Sequence, residues 1–277
     1  MNYKTRQKQA KLQEICGKHV YPWFIDLGEK FKRFGGFQLC LSDYYENPMD
    51  KQVAEIFSII APKNGREKHL TEFRNILGDS PWEKVKNRDF MEFTKEGLIL
   101  GNPFFTHSLI FNILDWLWEV SCEDKVPFEY VILGELGIIK RHHSTPLKNV
   151  FSVSDIKYRL EMVLVKLTLR DGFGAGIWHF LEEEDLPCPL STELRKIMFV
   201  FYPIKMDMTK ENESNIISFI GFEKKVNFLY SAWGYQYLRK KKPQETAKFE
   251  KKLKKWMNDL QLRYNMKIDV PTDCLDV

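Results

Sequence analysis

Apolar residues recur along most of the chain at intervals of three and four, the spacing that turns one side of a helix toward a core. Residues 4–16 form a basic amphipathic run, and Pro22 opens a second helix with Trp23, Phe24, Leu27, Phe31 and Phe34 on one side, closed by Gly35 and Gly36. Asn47-Pro48 ahead of Asp50 carries the chemistry of a helix start, and Val53, Ile56, Phe57 and Ile60 continue the apolar face as far as Pro62. A helix over 65–77 stops at Gly78, and Ser80-Pro81-Trp82 opens a short one toward Phe93. Helices follow over 103–121, 127–139 and 154–169, with the polar connection Lys140-Arg141-His142-His143-Ser144-Thr145-Pro146 between the last two. Further helical patterns cover 191–202, 210–220, 224–240 and 244–264. Strand signals are sparse, and no internal repeat or low-complexity linker interrupts the chain. The expected fold is therefore all-α, a two-lobed helical bundle within one domain spanning 1–277.

The most distinctive punctuation is the stretch LRDGFGAGIWHFLEEEDLPCPLSTELRKIMFVFY, residues 169–202. Gly172, Gly174 and Gly176 end the preceding helical pattern and can take positive backbone angles or admit a second backbone closely. Downstream, Leu-Pro-Cys-Pro-Leu leads to Ser191 as an N-cap, with Glu193 in the first turn behind it.

Composition narrows the class without naming a function. With 44% hydrophobic and 29% charged residues the chain is a folded protein rather than a disordered one. Its formal charge of +4 is only mildly basic, so an anion-binding surface must come from local clustering. Such clusters exist: Lys4, Arg6, Lys8 and Lys11 near the start, and Arg239, Lys240, Lys241 and Lys242 followed by Lys248, Lys251, Lys252, Lys254 and Lys255. A run of this kind either lies along phosphates or forms a solvated helix face. Cys16, Cys40, Cys122, Cys188 and Cys274 are widely separated and show no metal-ligand spacing, so reduced structural thiols, no metal and no cofactor are expected. The first residues lack the apolar core of a signal peptide, and the longest apolar run, around 108–120, is too short to span a bilayer. A cytoplasmic protein without a membrane partner is the expectation.

Two short motifs carry a resemblance. Gly172-Phe173-Gly174-Ala175-Gly176-Ile177-Trp178 stands before Pro189-Leu190-Ser191-Thr192-Glu193-Leu194-Arg195. This order resembles the helix-hairpin-helix DNA glycosylase superfamily, and more closely its divergent bacterial and phage relatives. Those relatives include the alpha-glutamyl/putrescinyl thymine pyrophosphorylase-like and hydroxymethyluracil DNA kinase helical domains. Residues 44–83 resemble the first helices of the same group, so the likeness covers most of 44–240. It implies a helix-hairpin-helix-like motif at about 169–178, and DNA as partner, including modified or phage DNA. Two positions depart from the pattern: Ser191 stands where the family has its catalytic Asp, and neither Ala175 nor Ile177 supplies a hairpin lysine.

Excising a base requires it to be flipped out, held against aromatic rings, and flanked by a carboxylate that stabilises the developing positive charge on the sugar. Asp50, Asp171, Asp185 and Glu193 are the candidate acids, and Tyr44, Trp82 and Trp178 the candidate stacking rings. Gly172, Gly174, Gly176, Ser191, Thr192, Arg195, Lys240, Lys241 and Lys242 are the candidate DNA contacts, with backbone N–H groups of the glycine turn meeting phosphate. Against these stand plainer readings: acids as helix caps, Trp178 as core, and the glycines as an interhelix turn. Two functions follow as expectations. One is a glycosylase-like protein that excises or processes a modified base; the other is a non-catalytic helical module that binds DNA or protein.

Overall fold

A computed structural model describes residues 29, 40–61, 69–94, 106–150, 156–170 and 174–189, together with part of 229–259. Every regular element among these residues is helical, and the fold is all-α. The chain divides into two compact units: a central one, residues 38–189, and a terminal one built from 1–37 and 190–277.

The central unit is organised on α1 (Pro48–Ile60). Asn47 caps it by accepting the Met49 N–H at 2.8 Å, and Pro48 occupies the first turn, where its missing N–H costs nothing. Val53, Ala54, Ile56, Phe57 and Ile60 are fully buried, as is Glu55, so the helix is enclosed on most sides rather than along one stripe. Each large apolar side chain enclosed in this way contributes about 1.5–3 kcal/mol. Five other elements pack against it: the 3-10 turn Leu41–Tyr44 before it, α2 (Leu70–Leu77), α3 (Pro81–Lys86), α7 (Ile156–Thr168) and the helix His107–Trp118. Phe73 of α2 meets Phe57 edge to face, with ring centroids 5.4 Å apart. Gly78 ends α2 with φ +71°, a conformation other residues rarely adopt.

The C-terminal end of α1 has an unusual closure. Arg159 of α7 sends its Nη1 to the carbonyl oxygens of Ile59, Ile60 and Ala61 at 3.1, 3.1 and 2.8 Å. These carbonyls lack intrahelical partners, and a cation at a helix C-terminus also suits its dipole. One side chain thus closes α1 and fastens α7 to it.

The remaining elements are α4 (His107–Trp118), α5 (Phe128–Glu135) and the short α6 (Leu147–Val150). Thr106 caps α4 through the Leu109 N–H at 3.2 Å, and α4 then loosens into a π turn over Glu119–Glu123. The sequence pattern carries α4 on to residue 121 because apolar spacing does not distinguish α from π winding. The patterns over 127–139 and 154–169 end earlier than expected, α5 at Glu135 and α7 at Thr168. The polar connection 140–146 is pinned down on one side: Glu135 accepts from His143 Nε2 at 2.7 Å and from Arg141 Nε at 3.1 Å, and Asp124 accepts from the Ser144 N–H at 2.8 Å. Trp116 donates its indole N–H to the Thr145 carbonyl at 3.0 Å.

In the terminal unit, Leu229, Tyr230 and Tyr235 are buried, and the Tyr235 hydroxyl bonds the Glu250 carboxylate. Burial and this bond push the Tyr235 hydroxyl pKa well above its usual value. Residues 243–248, 250, 251, 255 and 259 are helical. The expected helices over 4–16, 191–202 and 210–220 lie outside the described residues.

Candidate functional site

Asp50 lies in the first turn of α1 and is almost fully enclosed. Its Oδ1 accepts the backbone N–H of Trp82 at 2.7 Å. The need for this bond arises in α3: Pro81 at its first position has no N–H, and Ser80 makes no side-chain cap. The Trp82 N–H is therefore an exposed end of the helix ladder, and a carboxylate there satisfies both the donor and the helix dipole. The Trp82 indole is half-buried and meets Phe128 edge to face at 6.2 Å.

The glycine segment is built against the end of α7. Ala175 donates its N–H to the Lys166 carbonyl at 2.7 Å, and Ile177 and Trp178 donate theirs to the Leu167 carbonyl at 2.8 and 2.9 Å. These three donors are directed back onto α7 and close its C-terminus. A Cβ at Gly174 would collide with the carbonyl oxygen of Leu169 and lie 2.6 Å from that of Lys166, so only glycine fits there. Gly176 has φ +61° and lies under the Arg170 side chain. Past Gly176 the chain runs without regular structure to the 3-10 turn Glu183–Asp185. Within 174–182 the glycine turn therefore does not lead straight into a second helix.

Trp178 is buried and donates its indole N–H to Gln52 Oε1 of α1 at 2.9 Å, tying the glycine segment to the central helix. Its ring is tilted against Phe180, 44% exposed, at 5.7 Å. Tyr44 is 39% exposed, with the Arg74 guanidinium carbon 5.0 Å from its ring centroid.

Asp185 is exposed. Lys242 is exposed and pairs with Glu245 at 3.6 Å. Lys248, Lys251 and Lys255 are exposed helical residues, while Thr246 is buried and Glu250 half-buried. Their offsets of three and four are the spacing that turns side chains toward one side of a helix. Asp171, Gly172, Ser191, Thr192, Glu193, Arg195, Lys240 and Lys241 lie outside the described residues.

Sequence reasoning passed over a buried polar group at the junction of the Leu41–Tyr44 turn, α1 and α7. Glu55 accepts the Ser42 N–H at 3.0 Å, and Lys166 Nζ lies 3.5 Å from Cys40 Sγ. The signal was present: Lys166 interrupts the apolar run VLVKLTL, residues 163–169. Among the described residues no cluster of three or more His, Cys, Asp or Glu could hold a metal, and no helix is long and apolar enough to cross a membrane. No family model, curated protein or solved structure matches the chain.

Proposed function

We propose that the protein is a helical DNA-binding module that contacts backbone phosphates and leaves the glycosidic bond intact. The observation that carries this reading is the exposure of the helical residues Lys248, Lys251 and Lys255 at offsets of three and four, with the exposed Lys242 before them in sequence. Cations repeated along one helix side suit a row of phosphates and need no base contact, which favours binding without strong sequence preference. Two features weigh for binding over excision. Asp50 is buried and holds the start of α3, and Trp178 is buried with its indole N–H on Gln52, so neither is presented to a flipped base. The directed N–H groups of Ala175, Ile177 and Trp178 also move the expected phosphate contact from the glycine turn to the lysines.

Among the described residues a base-processing reading keeps one specific support, the exposed carboxylate of Asp185. The two are separated by incubating the folded protein with unmodified and modified duplexes, following retention by gel shift and released base or abasic sites by mass spectrometry. Binding without product on any duplex is the expected result. Released base, lost on Asp185→Asn, would replace the binding reading with an enzymatic one.

A further inference from the structure

Lys166 and Cys40 are 126 residues apart in sequence, 2% and 1% exposed, and bring an amine nitrogen to 3.5 Å from a thiol sulfur. Both are held by backbone structure. The Cys40 N–H is bonded to Asp43 Oδ2 at 2.8 Å, fixing the start of the 3-10 turn, and the Lys166 carbonyl accepts the Ala175 N–H. The sulfur and the nitrogen therefore stay close as long as the unit is folded, which raises the effective concentration of one toward the other far above any solution value.

We propose that Cys40 and Lys166 form an oxidative cross-linking site, in which a peroxide joins them through a sulfur–nitrogen bond. In the first step the Cys40 sulfur attacks one peroxide oxygen. An S–O bond forms, the O–O bond breaks, the sulfur is oxidised to a sulfenic acid, and the peroxide is reduced, leaving as water with the thiol proton. In the second step the Lys166 amine attacks the sulfenic sulfur. An N–S bond forms, the S–O bond breaks, and the hydroxyl leaves as a second water with an amine proton. Thiol, amine and one peroxide thus become a sulfenamide and two waters. The enclosure of Cys40 favours this course, because peroxide is small whereas a bulky external thiol cannot reach the sulfur before Lys166 does. Cys122 and Cys188 are more exposed and serve as internal comparisons.

The test treats the full chain with hydrogen peroxide, digests it without reductant and maps the peptides by tandem mass spectrometry, with circular dichroism confirming the fold before and after. The expected product is a Cys40 peptide joined to a Lys166 peptide, lighter by two hydrogens than their sum, absent before treatment and separated by dithiothreitol. In Lys166→Arg the pair is absent and Cys40 proceeds to the sulfinic acid. Recovery of Cys40 from the folded, treated wild-type protein as free thiol, sulfinic acid or a disulfide, with Lys166 unmodified, overturns the proposal. The wild-type map alone decides this, whether or not Lys166→Arg folds.

Discussion

Asp50 and Trp82 are joined by a 2.7 Å hydrogen bond from the Trp82 backbone N–H to the Asp50 carboxylate, so the first turn of α1 caps the first turn of α3. This makes Asp50 a fold-determining acid. Asp50→Ala should cost about 1–2 kcal/mol, the range for losing a helix cap, and Asp50→Asn less, because its carbonyl can still accept. Urea unfolding measures both. A catalytic Asp50 would give the opposite pattern, with unfolding unchanged and a DNA-processing activity lost.

The two glycines flanking Ala175 should respond differently to alanine. At Gly174 the new methyl meets backbone carbonyls of Lys166 and Leu169 that cannot yield without opening the end of α7. A loss of about 3 kcal/mol is expected, comparable to other overpacked sites. At Gly176 the methyl meets mainly the Arg170 side chain, which can move, and the positive φ costs about 1 kcal/mol. Equal melting temperatures for the two variants would contradict this account of the turn.

Helix starts were legible in the sequence because their chemistry is local. Asn47-Pro48 gave the start of α1 and Ser80-Pro81 that of α3, and glycine at 78 marked the end of α2. The partners of polar groups were not legible, since they lie far apart along the chain. Nothing near Asp50 reveals that its acceptor role is for a residue 32 positions on, and nothing near Arg159 points to carbonyls about 100 residues earlier. The glycine turn shows the same division. Its glycines announced a tight turn, but whether its N–H groups face a phosphate or the end of α7 depends on the packing of the whole unit.

Tyr45 links stability to pH. Burial, with smaller contributions from Asp50 and Asp79 against an opposing one from Arg74, raises its hydroxyl from 10.0 to about 12. The hydroxyl donates to the Gly78 carbonyl at 3.0 Å, a bond that needs the proton. The unfolded chain loses this proton near pH 10 while the folded protein retains it. The contribution is therefore complete below pH 10 and is lost as pH rises toward 12. About 1–2 kcal/mol should disappear over that window in denaturant titrations, after discounting for solvent near the site. Tyr45→Phe should lower stability by about 1 kcal/mol at neutral pH and remove this part of the alkaline loss.

Trp178→Phe should keep most of the apolar contact but leave Gln52 Oε1 without its indole donor. The expected cost is about 1–2 kcal/mol in urea unfolding, with DNA affinity unchanged. A fall in affinity at unchanged stability would instead mark Trp178 as a base-stacking ring.

The most direct measurement is the salt dependence of duplex binding, by fluorescence anisotropy, for the wild-type chain and a Lys248→Ala, Lys251→Ala, Lys255→Ala variant. Each lysine that neutralises one phosphate contributes roughly 0.9 to the slope of log affinity against log salt. The wild-type protein should bind with a steep negative slope, and the variant should bind more weakly with a slope shallower by roughly 2 to 3 and an unchanged circular dichroism spectrum. Wild-type and variant curves that superimpose, or no salt-sensitive binding by the wild-type protein, would contradict the phosphate-contacting role of this lysine face.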